Sequence, residues 1–172
     1  MADVTGVDLV VEQGSHQAFH PGRAAVLKLR SGEVVGYAGE LHPKLLAEEH
    51  LPARTVAMEL NASKVFDAAA DVIVAKPIST FPVATQDVAL VVPAEIPAAA
   101  VLETLREGAG ELLEDVALFD EYEGAGIPAG SKSLAFGLRF RAADRTLTAD
   151  EASAARAAAV ELAAERFGAT QR

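Results

Sequence analysis

Residues Leu134, Phe136, Leu138 and Phe140 alternate with Ala135, Gly137, Arg139 and Arg141. Successive strand side chains point to opposite faces, so this is a strand with one apolar face and one face that turns from small to basic. An antiparallel sheet can bury one side and leave the other to solvent. A chain with this pattern has a covered layer and an open surface carrying arginines. The strand belongs to KSLAFGLRFRAADRTLT, Lys132 to Thr148, preceded by FDEYEG at Phe119 to Gly124.

The surrounding segments supply the rest of a sandwich. Asp87 to Val92 is a short apolar strand. Pro97 is expected to open a helix with Val101, Leu102 and Leu105 inward, ending at Gly108-Ala109-Gly110. Val116, Leu118 and Tyr122 share one parity on a second strand, with Phe119 on the other. Gly124 to Gly130 is a loop. Thr148 and Glu151 form a capping box. Ala152, Ala155, Ala159, Ala163 and Phe167 then step by three and four along one helical face. The tail from Gly168 adds a short last strand. The order β-α-β-β-α-β is the ferredoxin-like arrangement, two helices on one face of a four-stranded antiparallel sheet.

The first half is less regular. Val7 to Glu12 reads as a strand and His20-Pro21-Gly22-Arg23 as a turn. Ala24 to Leu29 and Val34 to Gly39 flank Ser31-Gly32 as a hairpin. Pro43 opens a helix to His50, Val56 to Leu60 is a strand, and Ala62 to Ala69 a helix or turn. Phe66 to Ala75 is Ala/Val-rich. A partial antiparallel sheet beginning at Val7 would leave an unpaired edge, so this half is expected to be a piece of a larger module, with a native small domain as the alternative. A boundary near Lys76-Pro77-Ile78-Ser79 separates residues 1–78 from residues 79–172. The fold class is α+β.

Net charge is −10 over 172 residues. That opposes broad attraction to nucleic acid or anionic membranes, so any RNA contact needs a local basic patch. The half with the arginine strand is the more acidic, with 8 basic against 15 acidic residues from Ser79 onward. There is no cysteine, which removes disulfides and thiolate metal sites and fits a reducing cytoplasm. No apolar run approaches the roughly 18 residues that span a bilayer. His16, His20, His42 and His50 show no metal-ligand spacing, so no metal is expected. Asp120, Glu121 and Glu123 read as a solvated acidic cluster rather than an acid–base pair. Neither Gly36-Tyr-Ala-Gly39 nor Gly124-Ala-Gly126 has the context of a phosphate loop, and no nucleophilic triad is recognisable. No catalytic residue is expected.

Several short motifs fall in a characteristic order: FHPGRAA at Phe19 to Ala25, GYAGELHP at Gly36 to Pro43, FP at Phe81-Pro82, QDVAL at Gln86 to Leu90, FDEYEG, KSL at Lys132 to Leu134, and RTLT at Arg145 to Thr148. In these the chain resembles the C-terminal part of the bacterial phenylalanyl-tRNA synthetase β subunit, over essentially its whole length. The resemblance implies that residues 79–172 are a ferredoxin-fold anticodon-binding domain gripping tRNA(Phe). It implies that residues 1–78 end a catalytic-like module, similar to a class II synthetase core, that packs against the α subunit. The parent would be a cytoplasmic phenylalanine–tRNA ligase, an α2β2 heterotetramer using ATP and magnesium. This segment alone would bind no cofactor and catalyse nothing. One departure stands out: Gln86 occupies a position where the family usually has arginine, and it carries no charge for phosphate.

The candidate RNA-binding residues follow. Arg139 and Arg141 either contact phosphates or are solvated beside acidic neighbours. Lys132 and Ser133 begin the same strand beside a glycine-containing loop. Arg145 either reaches RNA or braces the turn into the capped helix. Gln86 retains hydrogen-bonding capacity. Phe81 either stacks on a base or plugs the domain boundary. Phe136 and Phe140 fall on the apolar parity, so the sheet is expected to read shape and phosphates, not to stack bases, with Tyr122 and Phe81 as the exceptions. Two other readings remain: a small-effector regulatory module, and a protein-interaction scaffold. In GELHP and HPGR, His42 and Arg23 are expected to fix a helix start and a turn.

Overall fold

The computed structural model describes residues 5–69 and 79–172. The chain divides into two compact units, Met1–Lys76 and Pro77–Arg172. The end of the Ala/Val-rich stretch and the Lys76-Pro77-Ile78 part of the expected boundary lie outside the described residues.

The first unit carries a four-stranded antiparallel meander: β1 (Leu9–Gln13), β2 (Phe19–Leu29), β3 (Val34–Leu41) and β4 (Val56–Leu60). A short helix α1 (Pro43–Glu48) precedes β4 and α2 (Ala62–Asp67) follows it. Val7, Leu27, Leu29, Val35 and Val65 form its core. The expected turn at His20-Pro21-Gly22-Arg23 is instead part of β2. Phe19 pairs with Leu41 and Ala24 with Gly39, so β2 spends five residues where β3 spends two. The Pro-Gly chemistry is real, since the Gly22 N–H donates to His20 Nδ1 at 3.1 Å. It bulges the strand without ending it, because Phe19 is buried and anchors the far side. Pro43 sits in the first turn of α1, and the His42 Nδ1 accepts the Lys44 N–H at 3.2 Å.

The second unit follows the expected order: β5 (Ala84–Pro93), α3 (Ala98–Ala109), β6 (Leu113–Tyr122), β7 (Ser131–Phe140), α4 (Ala149–Phe167) and β8 (Thr170–Gln171). The sheet runs β6-β7-β5-β8 and is antiparallel throughout. Leu134, Phe136, Leu138 and Phe140 of β7 are buried with Val88, Leu90 and Val92 of β5, and with Val101 and Leu105 of α3. Full burial of each such side chain contributes about 1.5–3 kcal/mol. Pro97 stands one residue before α3, with extended backbone, as its N-cap and not as its first helical residue. The capping box of Thr148 and Glu151 is present. The alanine stripe lets α4 lie close to α3: a Cβ on Gly108 would come within 2.7 Å of the Ala159 Cα. Arg166 ties the two helices, bonding Glu107 at 2.7 Å and Thr104 at 3.3 Å.

One expected face is corrected. Val116, Leu118 and Tyr122 do not share a side. Leu118 pairs with Phe136, but Asp120 pairs with Ala135, which leaves Phe119 as an extra residue. Every side chain after such a bulge changes face. Tyr122 therefore lies opposite Ser133, on the side away from the helices.

Candidate nucleic-acid interface

Residues paired across a ladder share a face of the sheet. The register places Ser133, Ala135, Gly137 and Arg139 of β7 on the open face, beside Thr85, Asp87, Ala89 and Val91 of β5. On β6, Asp115, Ala117, Asp120 and Tyr122 join them. The middle of this face sets the small residues Ala89, Ala117, Ala135 and Gly137 beside the carboxylates of Asp87 and Asp120, and Asp87 Oδ1 lies 3.6 Å from where a Gly137 Cβ would stand. From Ser133 to Arg139 it runs about 20 Å at the usual strand rise.

Aromatic rings stand at one end of this floor and beside its middle. Tyr122 is 39% exposed and Phe119 62% exposed. Phe119 reaches the open side, since its Cδ1 lies 3.8 Å from where a Gly137 Cβ would stand. Arg172 extends β8, with its N–H bonded to the Ala89 carbonyl at 2.9 Å. Its guanidinium carbon is 5.7 Å from the Tyr122 ring centroid, within cation–π range. The Tyr122 hydroxyl donates to the Ala125 carbonyl at 3.3 Å, which fixes the ring in the loop that follows.

The other end is charged. A second irregularity in β6 lies between Leu113 and Asp115, which pair with Phe140 and Arg139. Glu114, the residue between them, meets both arginines. Its Oε2 is 3.5 Å from Arg139 Nη2, and its Oε1 is 3.0 Å from Arg141 Nε. That Nε is close to the carboxylate but not aligned for a hydrogen bond, so the contact is an ion pair. Arg141 Nη1 also donates to the Ser79 carbonyl at 3.1 Å. The Arg139 side chain is 49% exposed, that of Arg141 only 19%. Of the two arginines read as phosphate contacts, one faces solvent and the other braces its own unit.

The remaining candidates scatter. Ser133 is on the open face but buried, opposite Tyr122 in the ladder. Lys132 has the parity of Leu134, lies on the helix side, and places its Nζ 3.6 Å from Glu121. Gln86 shares the parity of Val88 and Leu90, and its amide donates to Ser153 of α4 at 3.1 Å. Both are therefore on the face opposite Arg139. Phe81 is half-buried, its N–H bonded to Ser79 Oγ at 3.2 Å. Arg145 pairs with Glu151 and Asp144, bracing the helix cap. The Thr148 N–H first, and then Arg145, hold the Glu151 carboxyl down at about 2.

Phe119 and Arg172 were missed by sequence reasoning. Phe119 matched the open parity but was not read as a contact, and the carrier of the signal was the FDEYEG motif itself. Nothing local marks Arg172, whose place depends on β8 pairing with β5. In the first unit, Arg23 pairs with Glu40 at 2.8 Å across the β2 bulge. Among the described residues no cluster of His, Asp and Glu could hold a metal ion, and no helix is long and apolar enough to cross a membrane.

Comparison with known proteins points one way. Residues 79–172 match a family model described as a ferredoxin-fold anticodon binding domain. Residues 1–62 match one described as the CLM domain of the phenylalanyl tRNA synthetase beta chain. Curated relatives bear the name phenylalanine–tRNA ligase beta subunit. The one from Streptomyces avermitilis is 58% identical across 100% of this chain and 21% of its own length. That from Thermobifida fusca is 52% identical across 99% and 21%. That from Leifsonia xyli is 51% identical across 99% and 20%. The chain thus spans about a fifth of the length of these relatives.

Proposed function

Because this chain belongs to the phenylalanyl-tRNA synthetase β-chain family, we propose that it is the tRNA-gripping end of a phenylalanine–tRNA ligase β subunit. Its second unit binds the anticodon stem and loop of tRNA(Phe). Its first unit packs within the β subunit's catalytic-like module and against the α subunit of an α2β2 enzyme. That whole enzyme joins phenylalanine to tRNA in the cytoplasm, with ATP and magnesium at a site outside this chain. No residue here is catalytic.

The observation that carries the reading is the open face of the second unit. Its alanines and glycine leave room for a planar base between the Asp87 and Asp120 carboxylates, and Tyr122 offers a ring under the Arg172 guanidinium. Bases stack on such aromatics through their π-faces, whatever their sequence. Arg139 supplies a phosphate contact at the far end of the floor. The mechanism is positioning: contacts at the anticodon loop set the register of the tRNA, so that its acceptor end reaches the distant reaction site. Stacking thus takes a larger part than a shape-and-phosphate reading alone would give it.

The test is tRNA(Phe) binding by the whole α/β ligase carrying Tyr122→Ala or Arg172→Ala. Loss of a stacked base is worth about 1–3 kcal/mol, or roughly 5- to 150-fold in Kd. Unchanged affinity in both variants would remove the open face from tRNA recognition. Dissociation of the subunits would point to a protein scaffold, and thermal stabilisation by amino acids but not tRNA to an effector module.

A further inference from the structure

We propose that Glu114 tempers nucleic-acid binding by masking Arg139, which it yields when a phosphate arrives. The inference rests on the RNA-binding reading of the open face.

Glu114 is left over in the ladder between Leu113 and Asp115, so its side chain is free to reach along the sheet. Its two oxygens make unequal contacts. Oε1 meets Arg141 at 3.0 Å, and Arg141 is further bonded to the Ser79 carbonyl at 3.1 Å and largely buried. That half of the contact is an anchor. Oε2 meets Arg139 at 3.5 Å, the limit of a hydrogen bond, on a side chain about half exposed. That half is exchangeable. Five N–H donors lie in the guanidinium fork, and Glu114 engages one of them here. A phosphate approaching from solvent can take the others bidentately and displace the single long contact.

Charge bookkeeping gives the consequence. Two guanidiniums sharing one carboxylate leave a single positive charge, and Asp115, directly across the ladder from Arg139, sets a second carboxylate at the same end. Glu114 thereby lowers the number of counterions that tRNA releases on binding.

The experiment is tRNA(Phe) binding to the whole α/β ligase across ionic strength, for the unaltered enzyme, Glu114→Gln, Arg139→Gln and the double variant. Glu114→Gln is expected to tighten binding about 3- to 10-fold at low salt. It should steepen the slope of log K against log salt by about 0.7–0.9, one phosphate's worth. On the Arg139→Gln background the same change should do nothing. Glu114→Ser, a second way of removing the carboxylate, must show the same signs, and co-elution of the α and β subunits reports intact assembly. An unchanged slope, weaker binding, or an equal gain without Arg139 would overturn the proposal, the last because it would show only relief of general repulsion. If Tyr122→Ala weakens binding while Glu114→Gln is silent, this inference alone falls. If Tyr122→Ala is silent too, the reading of the face falls with it.

Discussion

Tyr122 faces the open side because Phe119, three residues earlier, takes no partner in the ladder. No property of Tyr122 itself encodes that placement. By contrast, Lys132 and Gln86 were legible: each has the parity of the buried residues on its own strand, Leu134 and Val88. Parity puts both on the helix side. Glu151 shows how a single residue couples to pH. Its carboxyl sits at about 2 in the fold, against the usual 4.5, because it accepts from the Thr148 N–H and from Arg145. A carboxyl lowered on folding stabilises the fold above its ordinary value, and that contribution is lost as pH falls toward about 2. Thermal unfolding of Glu151→Gln should therefore show a deficit in Tm at pH 6 that narrows through pH 4.5 and closes near pH 2. A deficit independent of pH would sink the assignment.

The paired helices α3 and α4 show what an alanine stripe accomplishes. Ala152, Ala159 and Ala163 are fully buried, and the two helices meet backbone to backbone at Gly108. Glycine inside a helix normally costs about 1 kcal/mol against alanine. Here Gly108→Ala should nonetheless destabilise, by about 1–2 kcal/mol in chemical unfolding, because its methyl would sit 2.7 Å from the Ala159 Cα. A more stable variant would mean that the helices separate easily. The β strands teach a complementary lesson. The alternation in β7 was readable because the strand is regular and half buried. The bulges in β2 and β6 were not, since an extra residue is visible only against the strand it pairs with.

Taken whole, the chain is acidic yet is read as an RNA binder, and the two are compatible if few phosphates are contacted. With Arg139 and Arg172 as the exposed cations of the face, binding of tRNA(Phe) by the whole ligase should lose affinity slowly with salt. The expected slope of log K against log salt has a magnitude of about 1–2. A slope near that of six phosphate contacts, about 4–5, would place the main tRNA-binding surface elsewhere. Each unit has its own core, at Leu27, Val35 and Val65 in the first and at Phe136, Phe140 and Leu105 in the second. The ordered motifs from FHPGRAA to RTLT run through both, which is why family membership could be read from the residues before any coordinates.

Local chemistry settled the element order, the capped and glycine-ended helices, and the apolar side of the central strand. All of these depend on neighbours within a few residues: alternation, a hydroxyl three positions before a glutamate, a proline at a helix start. Folding alone settled which side Tyr122 takes, that Arg172 returns across Ala89 to meet it, and that Glu114 shares its one carboxylate between two arginines. Those outcomes depend on which strands become partners and where one spends an extra residue, and such long-range pairing leaves no periodic trace in a single segment.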